Sequence, residues 1–318
     1  MATSPRSWLV PVAAAALLLA LPAVLTPYLQ DLVVKIAIYA VFALSLELLV
    51  GVTGLVSLGH AAFLGIGAYV TVLASGDSGG SIARVLPLAV LAAAGYALVV
   101  GALSLRTKGV YFIMVTLAFA QMAYFVFHDT RLAGGSDGIF LYVKPSFGTI
   151  DLDDRRTLYF TVMFALIVTY ALLAGLRRSR FGHALAGIRV NEQRMRAAGF
   201  PTYGYKLAAF VIAGALAGVA GFLLAVKDGA VNPELLSWHE SGTVLLMLIL
   251  GGIGSLSGAV IGAIAFTLLK ELFQFEGLLG PLADHWELTL GFTIIGFVAL
   301  LPTGLIGLRA RFAGAPHG

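Results

Sequence analysis

The chain has 318 residues, 59% hydrophobic and 11% charged, with a mean hydropathy of +0.96 and a formal net charge of +4. A soluble domain carries about 25% charged residues, so this composition excludes a water-soluble globule and describes an integral membrane protein with many spans. There is no cysteine, which excludes disulfides and thiolate metal sites. The positive charge is concentrated in one loop rather than spread along a groove, which argues against a nucleic-acid partner.

Trp8 to Thr26 is apolar and follows Arg6, giving a first helix that starts inside. A cleaved signal peptide is the alternative, because Leu19-Ala20-Leu21-Pro22-Ala23 puts small residues after an apolar core. A span needs about 20 apolar residues to cross a hydrocarbon core of about 30 Å. Further runs of that kind fall near 32–50, 55–74, 82–104, 109–127, 157–176 and 205–226, followed by shorter runs near 241–254 and 256–275 and a last one near 287–307. The expected fold is therefore an all-α polytopic helical bundle of about 10 transmembrane segments (8–10), a single transmembrane domain over residues 1–318.

Orientation follows from the segment 177–206, RRSRFGHALAGIRVNEQRMRAAGFPTYGYK. It carries Arg177, Arg178, Arg180, Arg189, Arg194, Arg196 and Lys206 with Glu192 as its only acid, so it stays on the cytoplasmic side. Counting outward from it places Arg6 inside, Arg106 and Lys108 inside, and Arg309 with Arg311 inside, an N-in/C-in chain. The segment 128–156 is the longest loop on the other side. It contains Ala133-Gly134-Gly135-Ser136-Asp137-Gly138 and reads as a partner-facing surface or as a solvated connector.

Gly51 to Tyr69, GVTGLVSLGHAAFLGIGAY, holds glycines 51, 54, 59, 65 and 67, too many for an ordinary unbroken helix. A broken helix there would turn free N–H groups toward a cavity and could meet a carboxylate. The other reading is close packing through Ala61, Gly65 and Ala68. Ser57 and His60 are polar groups at membrane depth and candidates for the translocation pathway, with Glu47, Thr116 and Gln121. Glu47 reads either as a proton carrier or as a structural acceptor satisfied by neighbouring Ser or Thr. Thr116, Gln121 and Tyr124 share one face of their span. Gly251 to Gly262, GGIGSLSGAVIG, has a similar texture and reads as a tight turn between two short spans.

No Gly-Lys-Ser/Thr is present, which excludes a P-loop of the usual type, and no paired-carboxylate or His-x-x-x-His set argues for catalysis or a metal.

Gly51–Tyr69, Tyr111–Gly138 and Ser179–Pro201 together are similar to the branched-chain amino acid permeases of bacterial ABC importers, closest to the larger, M-type member of the permease pair. Relatives of that kind would place Asn where Glu47 stands. The resemblance implies a transport subunit without catalytic residues or a cofactor of its own. Its partners would be membrane lipid, a second permease, two cytoplasmic ATPase subunits that bind the ATP, and a periplasmic or lipid-anchored binding protein facing Gly134, Gly135, Ser136, Asp137 and Gly138. The stretch 179–201 resembles the coupling loop, with Arg189, Asn191, Glu192, Arg194, Ala198 and Gly199 at its centre. On this reading Ala184, Ile188 and Met195 form one apolar face while the arginines point outward. Urea, short amides or other amino acids are alternative substrates within the family. An ion-coupled secondary transporter is the rival outside it.

Overall fold

The computed structural model describes residues 26–76, 79–130, 133–148, 150–275, 285–301 and 303–307. The first expected helix, Trp8 to Thr26, and the basic terminus with Arg309 and Arg311 lie outside the described residues. Each of the other nine expected spans falls on a helix. They are α1 (Pro27–Glu47), α2 (His60–Ser75), α3 (Ile82–Ser104), α4 (Val110–Asp129), α5 (Arg155–Arg178), α8 (Thr202–Asp228), α9 (Trp238–Gly251), α10 (Leu256–Gln274) and α11 (Trp286–Leu300). The short helices α6 (Arg180–Val190) and α7 (Glu192–Ala197) lie between α5 and α8. Among the described residues, six helices are long and apolar enough to cross a membrane: α1, α3, α4, α5, α8 and α10. The helices α2, α9 and α11 are shorter, at 16, 14 and 15 residues. The all-α polytopic expectation holds.

The centre of the bundle is α1 and α8, whose apolar windows are 78% and 72% buried, against 22% for α4. Packing around α8 depends on small residues, because lipid gives helices no hydrophobic reason to associate and close backbone approach must supply the attraction. A Cβ at Gly221 would sit 2.0 Å from the Leu64 carbonyl, and one at Gly67 would sit 2.6 Å from that of Gly218. Gly214 and Gly218 press on Ala97 and Ala93 of α3 in the same way. The close-packing reading of Gly51–Tyr69 is thus correct for its second half.

Strands are few and short. β1 (Ile139–Phe140) pairs antiparallel with β4 (Ala230–Val231), and β2 (Ser146–Phe147) with β3 (Ile150–Asp151). The β1–β4 pair ties the long loop to the α8–α9 connection, and Gly138 is needed there, with φ +74° and a Cβ position 2.1 Å from the Val231 carbonyl. Gly134, Gly135, Ser136 and Asp137 form the turn before β1, the last three as one 3₁₀ turn. Asp154 caps α5 by accepting from the Thr157 hydroxyl (2.8 Å) and N–H (3.0 Å), and these bonds hold its carboxyl below the usual carboxylate range.

Candidate coupling and translocation site

The break expected in Gly51–Tyr69 is present. α1 runs on through a π-helical stretch, Leu48–Thr53, then unwinds over 54–59 with Gly54 left-handed at φ +76°. The chain turns back into the bundle before α2 starts. Its depth is fixed by His60, whose Nε2 lies 2.7 Å from the Ser45 hydroxyl of α1. Ser45 precedes Thr53 by eight residues, so α2 begins about two helical turns inside the end of the π-helical extension. Irregular backbone at such depth must be enclosed by protein or line a watery cavity. Here the second half is enclosed, with Ser57 and Gly59 buried, while Gly54 is exposed and Leu55 and Val56 line a cleft of about 370 Å³. The Ser57 hydroxyl accepts from Gly59 N–H (3.2 Å), and Gly59 lies so close to α4 that a Cβ would sit 2.3 Å from the Thr116 carbonyl.

The structure thus gathers Ser57, His60 and Thr116 around one unwound segment, all fully buried within the chain. His60 stacks on Phe42 (ring centroids 5.4 Å apart) and meets Phe63 edge-on. The N-terminal amide of α2 is engaged, because Ala61 N–H donates to the Ser241 hydroxyl of α9 (2.9 Å). Gln121 lies half-buried further along α4 and is not brought into this group. Tyr124, on the same face, donates to Glu234 (3.3 Å). Neither Ser45 nor Ser241 stands out in the sequence, since a lone serine in an apolar helix carries no motif.

Glu47 belongs to a second cluster. It is wholly buried, and neither carboxyl oxygen makes a hydrogen bond of ordinary geometry. Among the described residues no Ser or Thr hydroxyl satisfies it, contrary to one expectation. The guanidiniums of Arg177 and Arg189 act on it through space, without an ion pair, and the backbone of Gly254 lies on the same side. Arg177 Nη2 donates to the Gly254 carbonyl (3.0 Å), and Arg189 Nη1 donates to the Gly51 carbonyl. The π-helical stretch that leads into the first break, through Gly51, and the second glycine-rich break, 251–254, therefore face the same basic segment at one end of the molecule. A third break joins them, because Gly304 (φ +70°) packs on Gly252, where a Cβ would sit 2.5 Å from its nitrogen.

The basic segment is a helical hairpin rather than a single helix. Ser179 caps α6, accepting from Gly182 N–H (3.3 Å), and Asn191 caps α7, accepting from Arg194 N–H (2.9 Å). Met195 lies across Gly187, where a Cβ would sit 2.9 Å from its sulfur. Gly199 ends the hairpin in the left-handed region at φ +86°. Ala184 and Ile188 form the expected apolar face and are buried, with Met195 half-buried beside them. Not all the arginines point outward, since Arg177 and Arg189 turn in. Glu192 also turns in: it accepts from Lys206 (2.9 Å), Arg196 (2.6 Å) and Thr202 (3.1 Å), which closes α7 onto the start of α8. Burial pushes the Glu192 carboxyl up, but these donors outweigh it and hold the group below the usual range. Val190 (83% exposed), Arg194, Ala198, Gly199 and Phe200 (40% exposed) form the open tip.

A multi-pass helical bundle with helices broken at depth and an ordered basic hairpin at one end defines a membrane transport protein. The chain belongs to the family of permease components of branched-chain amino acid transport systems, whose family model matches residues 28–298. The high-affinity branched-chain amino acid transport system permease protein LivM of Salmonella typhimurium is 30% identical over 87% of this chain and 69% of its own length. BraD of Pseudomonas aeruginosa is 25% identical over 88% of this chain and 96% of its own length, and LivH of Escherichia coli is 25% identical over 85% and 91%. No solved structure matches the chain.

Proposed function

We propose that the chain is the membrane-spanning permease subunit of an ATP-binding-cassette importer that carries branched-chain amino acids inward across the inner membrane. The α6–α7 hairpin supports this reading most directly. Exposed apolar side chains on a loop outside the lipid, Val190 and Phe200, mark a surface for another protein. The hairpin base is joined to the helix breaks, so a push on the tip reaches the bundle as a rigid-body displacement. Two ATPase subunits grip the tip on the cytoplasmic face and bind the ATP, and the chain carries no cofactor of its own. A second permease completes the pathway, and a binding protein delivers substrate at the face of Gly134–Gly138. The relatives, named as branched-chain amino acid permeases, favour branched-chain amino acids over urea, short amides or other amino acids.

Reconstitution in proteoliposomes together with the second permease, with and without the ATPase subunits and binding protein, tests the reading. Leucine uptake is expected only with both subunit types and ATP. Uptake that persists without ATPase and follows a proton or sodium gradient overturns it in favour of a secondary transporter.

A further inference from the structure

The carbonyls of Gly51, just before one helix break, and Gly254, in another, are each held by an arginine of the basic hairpin or its root, Arg189 and Arg177. These four residues line one cleft of about 650 Å³. Behind Gly51 lies Glu47, its carboxylate so close that a Cβ on Gly51 would sit 1.9 Å from Oε1. A buried carboxylate without a counter-charge is strongly disfavoured, and two guanidiniums brought to one cleft repel each other. One carboxylate behind Gly51, beyond ion-pair distance of either guanidinium, answers both difficulties through space. Gly51 must lack a side chain for that carboxylate to fit.

We propose that Glu47 is a positioning residue: its charge seats Arg177 on Gly254 and Arg189 on Gly51, latching the hairpin to the ends of α1 and α9. The latch rests on the coupling reading above for its purpose, since it is what makes hairpin and breaks move as one. Arg189 then acts inward, as the joint, and the ATPase meets the exposed tip beyond it. The two arginines approach from different elements, one at the end of α5 and one near the end of α6. A single carboxylate thus orders the whole base of the hairpin.

The chain has no cysteine, so spin labels on Gln193→Cys and Ser257→Cys, both exposed, report the hairpin against α10 in the full chain in lipid nanodiscs. The expected result is one narrow distance in the parent, at least doubled in width by Glu47→Gln and by Gly51→Ala, and largely restored in Glu47→Asp. Arg177→Gln, at the end of α5 and away from the packed core, gives the same broadening if the core variants do not fold. In the assembled transporter, leucine moved per ATP falls about tenfold in Glu47→Gln and recovers in part in Glu47→Asp. Unchanged widths in the Gln and Ala variants overturn the latch, as does equal broadening in Glu47→Asp, which would mark a packing role only. Failure of the parent chain to hold ATPase subunits overturns the coupling reading instead, and the distances remain to judge the latch separately.

Discussion

Glu192 shows how a single side chain can be structural inside a functional loop. Its three donors differ in worth. Arg196 is half-exposed and contributes little, whereas Lys206, with a side chain only 9% exposed, has lost most of its water. A hydrogen bond to a charged group contributes about 1.5–3 kcal/mol, so Glu192→Gln is expected to loosen the hairpin by roughly that amount. Amide exchange at Phe200 and Thr202 measures it, and unchanged protection refutes the clamp. The folded carboxyl ionises more readily than the unfolded one, whose value is about 4.3. Its contribution is therefore full above that pH and is lost as the pH falls through the lower folded value. Protection of the same amides should fall on acidification below pH about 4 in the parent and stay flat in Glu192→Gln. Gln193, one position on, is exposed, and Gln193→Ala is expected to change neither readout.

At the scale of elements, the glycines divide into those that carry packing and those that do not. Gly221 meets the Leu64 carbonyl, a backbone atom that cannot move aside without shifting α2. Gly95 on α3 has nothing within 4 Å. Gly221→Ala is expected to lower the unfolding temperature of the purified protein by several degrees, whereas Gly95→Ala raises it slightly, since Ala in a helix interior is favoured over Gly by about 1 kcal/mol. Equal effects would show that the α2–α8 contact is not what holds the bundle. The sequence reveals these spans because a hydropathy run is a local property. It shows less of how they end. Glycine density marks the break at 54–59, and rarity at membrane depth marks Ser57, His60 and Thr116. The partners Ser45 and Ser241 come from elsewhere in the chain, the latter 180 positions from Ala61, and nothing local signals them. The basic segment is legible as charge but not as direction. That Arg177 and Arg189 turn inward while Val190 turns out depends on where the breaks lie in space.

For the whole molecule, the two ends differ in kind. One gathers the basic hairpin and three glycine breaks, and the other carries the β1–β4 pair with exposed Phe140 and Tyr142. The distribution of Lys and Arg predicts that the first faces inward. A membrane-impermeant maleimide should therefore modify Tyr142→Cys in right-side-out vesicles and Ala198→Cys only in inside-out ones. Labelling of both from the same side would refute the orientation.

The short helices place a condition on the lipid itself. α2 is largely enclosed by its neighbours, so its 16 residues need not match any hydrocarbon thickness. α11 is different: its 15 residues span about 22 Å, and Leu288, Phe292, Ile295 and Leu300 are exposed. An outward-facing helix shorter than the acyl region makes the bilayer thin around it, at a fraction of a kcal/mol for each ångström. The protein should therefore tune to acyl-chain length, with turnover highest in thinner vesicles and declining as the chains lengthen by two carbons at a time.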